Sequence, residues 1–325
     1  MNTLSKSTPN SLPMTALSDV FGARLQKDVS LARYTTARVG GPAQALVEVE
    51  NGRDLVETAS HLWEMGVPFI ILGSGSNILV SDAGVAEVVV LNNARQIRFE
   101  EQNEAVTVWA ESGASLGLVA RQAAVRGLSG LEWAAGIPGT VGGAVVGNAG
   151  VHGSDMASCV VMAEILHPLD TDGQIKQSIL REEWPVEKLA YAYRTSILKR
   201  ESGKVVLACR FRLACSTPEA VRAAQGKYAE KRKRTQPPGA SMGSMFKNPP
   251  GDYAGRLIEA CGLKGTRVGD AEISSLHANF FINRGQATSV DFYNLIQTVR
   301  LRVAEKFNVN LELEIELIGR WDTNG

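Results

Sequence analysis

The segment GASMGSMFKNP (239–249) places two serines three positions apart among glycines, with a lysine three residues after the second. Ser241 and Ser244 each offer a hydroxyl where small neighbours allow close approach to a ligand, and Lys247 could stabilise negative charge on an oxygen nearby. Spacing leaves the two serines equivalent, and a plain flexible loop explains them equally well. A second candidate lies in YRTSILK (193–199), where Arg194 carries a planar fork suited to a carboxylate or phosphate. Its alternative is a surface salt bridge. The third is LELEIELIG (311–319). Strand alternation would put Leu311, Leu313, Ile315 and Leu317 on one face and Glu312, Glu314 and Glu316 on the other. A carboxylate turned into a cleft would be the functional one, and spacing does not choose among the three.

Two glycine segments could hold a ligand for these groups. In GSGSN (73–77), Gly73, Ser74, Gly75, Ser76 and Asn77 supply free backbone N–H groups able to wrap a diphosphate. Ile78 stands where the dinucleotide fingerprint would need a third glycine, so a simple turn remains open. GIPGTVGGAVVGNAG (136–150) has six glycines in fifteen residues and no charge. Its Ile137, Pro138, Gly139, Thr140, Gly142 and Gly143 would let backbone approach a large flat ligand; a tightly packed turn and helix start is the alternative. Two such segments in neighbouring blocks favour an extended dinucleotide such as FAD.

Elements to position these loops follow from periodicity. QALVEVE (44–50) alternates as a strand, GRDLVETASHLWEMG (52–66) has helical spacing, and PFIILG (68–73) is a strand ending in the glycine turn. That is a β-α-β unit with its turn at a strand's carboxyl end, a common ligand position. A second block, 95–215, holds a strand at 105–111, a helix at 115–127 and strands near 160–166 and 204–213. A third starts with a charged helix over 217–234 and continues with a helix at 254–262, a strand at 279–283, a helix over 288–307 and a last strand at 310–319. KRKR (231–234) ends its helix, where positive charge suits the dipole, and reads as a solvated helix end.

Composition narrows the class. Lys and Arg total 34, as do Asp and Glu, so no global charge points to nucleic acid or an anionic membrane. Cys159, Cys209, Cys215 and Cys261 lack CxxC spacing, the four histidines are scattered, and no metal site is expected. No apolar run is long enough to span a bilayer. The first 30 residues, rich in Ser, Thr, Pro and Asn, read as a mobile tail rather than a signal peptide, and the expected location is the cytoplasm.

Eight segments in order carry a resemblance: TTARVGGPA (35–43), GSGSNILV (73–80), AGIPGTVGGAVVGNAG (135–150), YRTSILK, GSMFKNP (243–249), AGRLIEACGLKG (254–265), HANFFIN (277–283) and LELEIELIG. Together they resemble the UDP-N-acetylenolpyruvoylglucosamine reductase family. The resemblance implies an α+β fold: an FAD-binding, PCMH-type domain of the vanillyl-alcohol-oxidase-like kind over 31–215, in two α+β subdomains (about 31–94 and 95–215), and a smaller α+β substrate domain over 216–325. It implies that NADPH reduces a non-covalent FAD, and that the flavin N5 then passes hydride to the enolpyruvyl group of UDP-N-acetylglucosamine enolpyruvate. By the same resemblance Ser244 is the proton donor, while Arg194 and Glu314 act on the substrate carboxylate. Tyr193, Lys247 and Asn248 are the expected substrate or nicotinamide contacts. The chain passes within a few residues from YRTSILK to the strand KVVLACRFRL (204–213), which matches the compact second type without an extra substrate loop. AVVGNAG departs from the aromatic- or methionine-containing versions associated with the family. No nucleic acid, membrane or obligatory protein partner is expected. The competing readings are a flavin oxidoreductase with another substrate and a non-catalytic nucleotide-sugar-binding protein.

Overall fold

The structure is a computed structural model and describes residues 12–102, 105–151, 153–169 and 179–321. Its first sheet has four strands, Leu25–Ser30, Pro42–Val49, Val88–Asn92 and Phe69–Leu72 in spatial order, the last three mutually parallel. Val88–Asn92, paired on both sides, is buried throughout, as a central parallel strand must be. The helix Gly52–Glu64 starts at Asn51, whose side chain accepts from Asp54 N, and turns Leu55, Ala59 and Leu62 onto the core. Leu17 and Phe21 join that core from a helix over Met14–Phe21. The expected tail is therefore wrong from residue 12 onward. A polar composition hid two well-spaced apolar anchors and a strand, Leu25–Ser30, that closes the sheet edge. Residues 1–11 lie outside the described residues.

The second sheet is antiparallel, ordered Ile179–Pro185, Val160–Pro168, Val205–Cys215, Ala105–Glu111 and Ile97–Gln102, with Leu128–Ser129 paired to the end of the third. Helices Leu116–Val125 and Val141–Gly147 cover it, capped by the side chains of Ser115 and Thr140. The charged helix Pro218–Thr235 also packs here, where Gln225 Nε2 donates to Ala120 O at 3.0 Å.

The third sheet runs Ala240–Ser244, Phe280–Asn283, Ala271–Ile273, Arg267–Val268. Behind it lie helices Ala254–Ala260 and Ser289–Phe307, the latter opened by a Thr288/Asp291 capping box. Its core takes in Ala37, Val39 and Leu79 from the first block, which cements the two together.

Two expected elements differ. The serine segment, read as a turn, is an edge strand with a register shift between Ser241 and Ser244, where Gly243 has φ 81°. Only Glu316–Ile318 of the last expected strand is regular. It pairs in parallel with Ile78–Val80, directly after the first glycine loop. Residues before it lie beside Phe246, bridged to it at Leu313. The α+β class, with a larger half on two sheets and a smaller C-terminal unit, is the fold observed. No helix among the described residues is long and apolar enough to cross a membrane, and no described group of three or more His, Cys, Asp or Glu could hold a metal.

Candidate active site

Arg194 sits at the tip of a tight hairpin turn in which Ala192 and Thr195 exchange backbone hydrogen bonds of 3.0 and 3.2 Å. Its φ is 55°, a left-handed conformation that costs a non-glycine residue about 1–2 kcal/mol. The strain is offset by what the side chain does. Nε donates to Glu314 Oε1 at 2.7 Å and Nη2 donates to Gly150 O at 2.6 Å. The guanidinium thus rests against the end of the long glycine segment and a carboxylate from the far end of the chain. The surface salt bridge weighed for Arg194 becomes a pair with side chains only 23% and 15% exposed.

Burial separates the three glutamates that spacing left equal. Glu312 is 77% exposed and Glu316 42%, against 15% for Glu314. Desolvation raises the Glu314 pKa above its ordinary 4.5, opposed by Arg194 and more weakly by Lys199 and Lys247. Its backbone is pinned at both ends: Glu314 N donates to Met245 O at 2.9 Å, and Asn77 Nδ2 donates to Glu314 O at 3.1 Å. Met245 is the residue after Ser244, so the serine strand, the glutamate segment and the first glycine loop form one hydrogen-bonded unit. Ser244 itself is half-buried, registered opposite Phe280, and no described residue hydrogen-bonds its Oγ.

The two glycine loops abut. Ser76 Oγ donates to Pro138 O at 3.4 Å, and a Cβ on Gly73 would stand 2.5 Å from Thr140 Oγ1. Gly75 (φ 57°) lies so close to Tyr34 that a Cβ would come within 2.2 Å of its carbonyl. Ser74, Asn77, Gly136, Pro138 and Gly143 face solvent, forming an uncharged, small-residue surface along both loops. Such a cradle fits an extended dinucleotide. Ile137, Gly139, Thr140 and Gly142 lie in the same stretch, Thr140 accepting from Gly143 N and Gly142 N donating to Ser112 O.

A model of the UDP-N-acetylenolpyruvoylglucosamine reductase C-terminal domain matches residues 234–318, and an FAD binding domain model matches 43–177. A protein named UDP-N-acetylenolpyruvoylglucosamine reductase from Chloroflexus aggregans is 46% identical over 298 residues, 90% of this chain and 97% of its own. One of the same name from Rubrobacter xylanophilus is 41% identical, over 90% and 94% of the two chains. The crystal structure of UDP-N-acetylenolpyruvylglucosamine reductase from Thermus caldophilus superposes with a TM-score of 0.75 at 38% identity, over 91% of this chain and 99% of that one. The chain belongs to the UDP-N-acetylenolpyruvoylglucosamine reductase family. It is an oxidoreductase, a flavoprotein with an FAD-binding domain, of a kind that serves peptidoglycan precursor synthesis.

Within this reductase fold the remaining expected residues are placed as follows. Tyr193 is 52% exposed and its hydroxyl accepts from Asn248 N at 3.4 Å. Asn248 Oδ1 accepts from Ala254 N at the start of a helix. Lys247 Nζ pairs with Glu312 at 3.4 Å and makes no described hydrogen bond to Ser244, so a direct role at that hydroxyl has no contact behind it. Two positioning residues escaped sequence reasoning. Thr36 Oγ1 donates to Ser241 O at 2.7 Å while Thr36 N donates to Gly75 O at 3.1 Å, tying the first glycine loop to the serine strand. Asn148, 3% exposed and left-handed at φ 45°, donates from Nδ2 to Ala192 O at 3.0 Å and so braces the Arg194 turn. An asparagine closing a short glycine-rich helix is a signal that could have marked Asn148, and Thr36 had only its place in TTARVGGPA.

Proposed function

We propose that the enzyme reduces the enolpyruvyl group of UDP-N-acetylglucosamine enolpyruvate to the lactyl ether of UDP-N-acetylmuramate, with NADPH as reductant, in the cytoplasm. One observation carries the reading. Three distant segments bring an arginine fork, a desolvated glutamate and the strand that carries Ser244 together beside two glycine loops. Gly73, Ser74, Gly75, Ser76 and Asn77, with Ile137, Pro138, Gly139, Thr140, Gly142 and Gly143, are the residues assigned to FAD. Neither loop contains His or Cys, so the flavin is held non-covalently. When bound, FAD supplies the two-electron chemistry.

The protein groups then have distinct tasks. Arg194, turned by its left-handed backbone toward the glycine loops, binds the substrate carboxylate and stabilises the charge that grows there as the adjacent carbon becomes an enolate. Glu314 orients Arg194. As a neutral acid, which burial favours, it can also donate a hydrogen bond to the same carboxylate. Ser244 delivers the proton to the enolate carbon. A serine is a very weak acid, but a dianionic enolate in a desolvated site is a strong base, and a positioned weak acid then suffices. Tyr193, Lys247 and Asn248 line the approach for substrate or nicotinamide. The FAD-binding domain runs from about residue 12, since Leu25–Ser30 belongs to its first sheet, to the end of the helix Pro218–Thr235 packed on its second, and the substrate-binding domain follows, with no obligatory protein partner.

The test is a pair of half-reactions. The purified protein should carry a flavin spectrum, bleach anaerobically with NADPH, and regain its colour on addition of UDP-N-acetylglucosamine enolpyruvate. Reduced flavin that stays reduced would refute the substrate assignment. In Ser244→Ala, reduction by NADPH should be unchanged while product formation drops by about 10²–10⁴-fold. Normal turnover would remove Ser244 from its role.

A further inference from the structure

The serine strand loses its partner shortly after Ser244. Ser244 is registered opposite Phe280, and Met245 N still donates to Asn279 O at 2.8 Å. There the partner chain bends away: Ala278 and Asn279 form a turn closed by Phe280 N donating to His277 O at 2.9 Å. Phe246, fully buried, therefore meets a turn where the ladder would otherwise continue. Its backbone N–H and C=O must still be paired.

One side chain takes both. Asn279 Oδ1 accepts from Phe246 N at 2.9 Å, and Asn279 Nδ2 donates to Phe246 O at 2.8 Å. A carboxamide offers one acceptor and one donor side by side, as the peptide groups of an opposing strand residue would. Asn279 is 3% exposed, and its own N donates to His277 Nδ1 at 3.2 Å, so the amide is held from behind as well. The other edge of the same segment carries the glutamate. Glu314 N donates to Met245 O and Lys247 N donates to Glu312 O, both at 2.9 Å. Phe246 is thus clamped between the Asn279 amide and the segment 312–314.

We propose that Asn279 is a positioning residue that fixes Ser244 and Glu314 relative to each other through the Phe246 backbone, which rests on the roles assigned to those two residues above. Ser244 follows a register shift at Gly243, where φ is 81°, so the strand before it is already irregular. The firm hold comes from the residues after it. Without the amide, Phe246 N–H and C=O would be left buried and unpaired, and the backbone would shift to regain partners. Met245 would carry Ser244 with it on one side and Glu314 on the other. A displacement of about 1 Å at a proton donor is enough to slow its step by about 10²-fold.

Asn279→Ala removes both bonds. Asn279→Asp keeps the shape but makes the donor depend on protonation: a neutral acid can both accept and donate, whereas the carboxylate only accepts and repels Phe246 O. Each holoenzyme, its flavin reduced anaerobically, is mixed with UDP-N-acetylglucosamine enolpyruvate in a stopped flow beside Ser244→Ala. In Asn279→Ala, reoxidation should slow by about 10–10²-fold while reduction by NADPH stays within about twofold of wild type. The solvent deuterium isotope effect on reoxidation should rise, because proton delivery becomes the slow step. In Asn279→Asp the loss at about pH 8 should shrink about tenfold at about pH 6, as the buried carboxyl takes up a proton. Rates relative to wild type at each pH cancel the titration of His277, with Lys264 and Glu259 near it, and of Glu314 and Lys247 across the strand. Folded Asn279→Ala protein, checked by its melting temperature, that reoxidises at the wild-type rate overturns the proposal, as does an equal loss in both half-reactions. Asn279→Asp without recovery in acid overturns it too, and stands as the test if Asn279→Ala does not fold. A slow Ser244→Ala beside unaffected Asn279 variants brings down the positioning role alone, whereas a normal Ser244→Ala brings down the serine's role and the positioning with it.

Discussion

Glu314→Gln keeps the shape of the side chain and removes its charge, which sets two effects against each other. The wild-type carboxylate accepts from Arg194 Nε at 2.7 Å. Arg194 keeps its charge in the variant, so the amide oxygen still accepts a charge-assisted bond and only the ion-pair part of the contact, about 1 kcal/mol, is lost. Against this, a charge only 15% exposed no longer has to be desolvated, which returns a similar amount. The net change in unfolding free energy at neutral pH should therefore lie within about 1 kcal/mol of zero.

The pH dependence decides which effect is larger. Burial raises the native Glu314 pKa above 4.5. Between the unfolded and native values the folded state binds more protons, so this group's contribution to stability falls as pH rises through that interval. Glutamine has no such titration. The stability of Glu314→Gln relative to wild type should therefore climb with pH from about 4.5 upward and level off above the native pKa. Urea unfolding of both proteins across that range cancels every other titrating group. A relative stability that falls with rising pH would mean that Arg194 outweighs burial, and the carboxyl could not be a neutral donor. Reoxidation by substrate should drop by about 10²-fold in the same variant, whatever the stability.

Arg194→Lys retains charge but cannot reach Glu314 and Gly150 O with one planar group, and should slow reoxidation by substrate by about 10²–10³-fold with little effect on flavin reduction by NADPH, measured by stopped flow. In Gly75→Ala a Cβ would meet the Tyr34 carbonyl at 2.2 Å in a left-handed backbone, so the variant should lose at least about 2–3 kcal/mol in chemical denaturation and bind FAD weakly. Glu272, with a 6% exposed side chain, is held by Arg284 and Arg267, which lower its pKa. Its contribution should be present above pH 4.5 and be lost as pH falls through the lower native value, and Glu272→Ala, which leaves two solvated arginines, should cost about 1–3 kcal/mol at neutral pH by urea unfolding.

Periodicity located the elements that bury a continuous face. The helix over 288–307 and the strand at 105–111 were legible to within a residue or so because each repeats its apolar signal over several turns or pleats. It failed where pairing, rather than pattern, makes the structure. The strand Ala240–Ser244 contains a glycine and two serines and exists because Phe280–Asn283 offers it an edge. The segment 310–315 has perfect alternation yet is irregular, since its backbone groups go to Met245, Lys247 and Asn77 instead of to a ladder.

The same contrast explains why the site was only half visible. The chemistry-bearing side chains are types that announce themselves, but choosing Ser244 over Ser241, or Glu314 over its neighbours, depends on contacts between residues more than 60 positions apart. Glu314 is selected because Arg194 lies 120 residues upstream in sequence and 2.7 Å away in space. The two serines are set apart by the same kind of contact: the Ser241 carbonyl accepts from Thr36 Oγ1, which anchors the strand, and the irregularity at Gly243 puts Ser244 off that register. The anchor and the proposed proton donor thus lie three positions apart on one short strand.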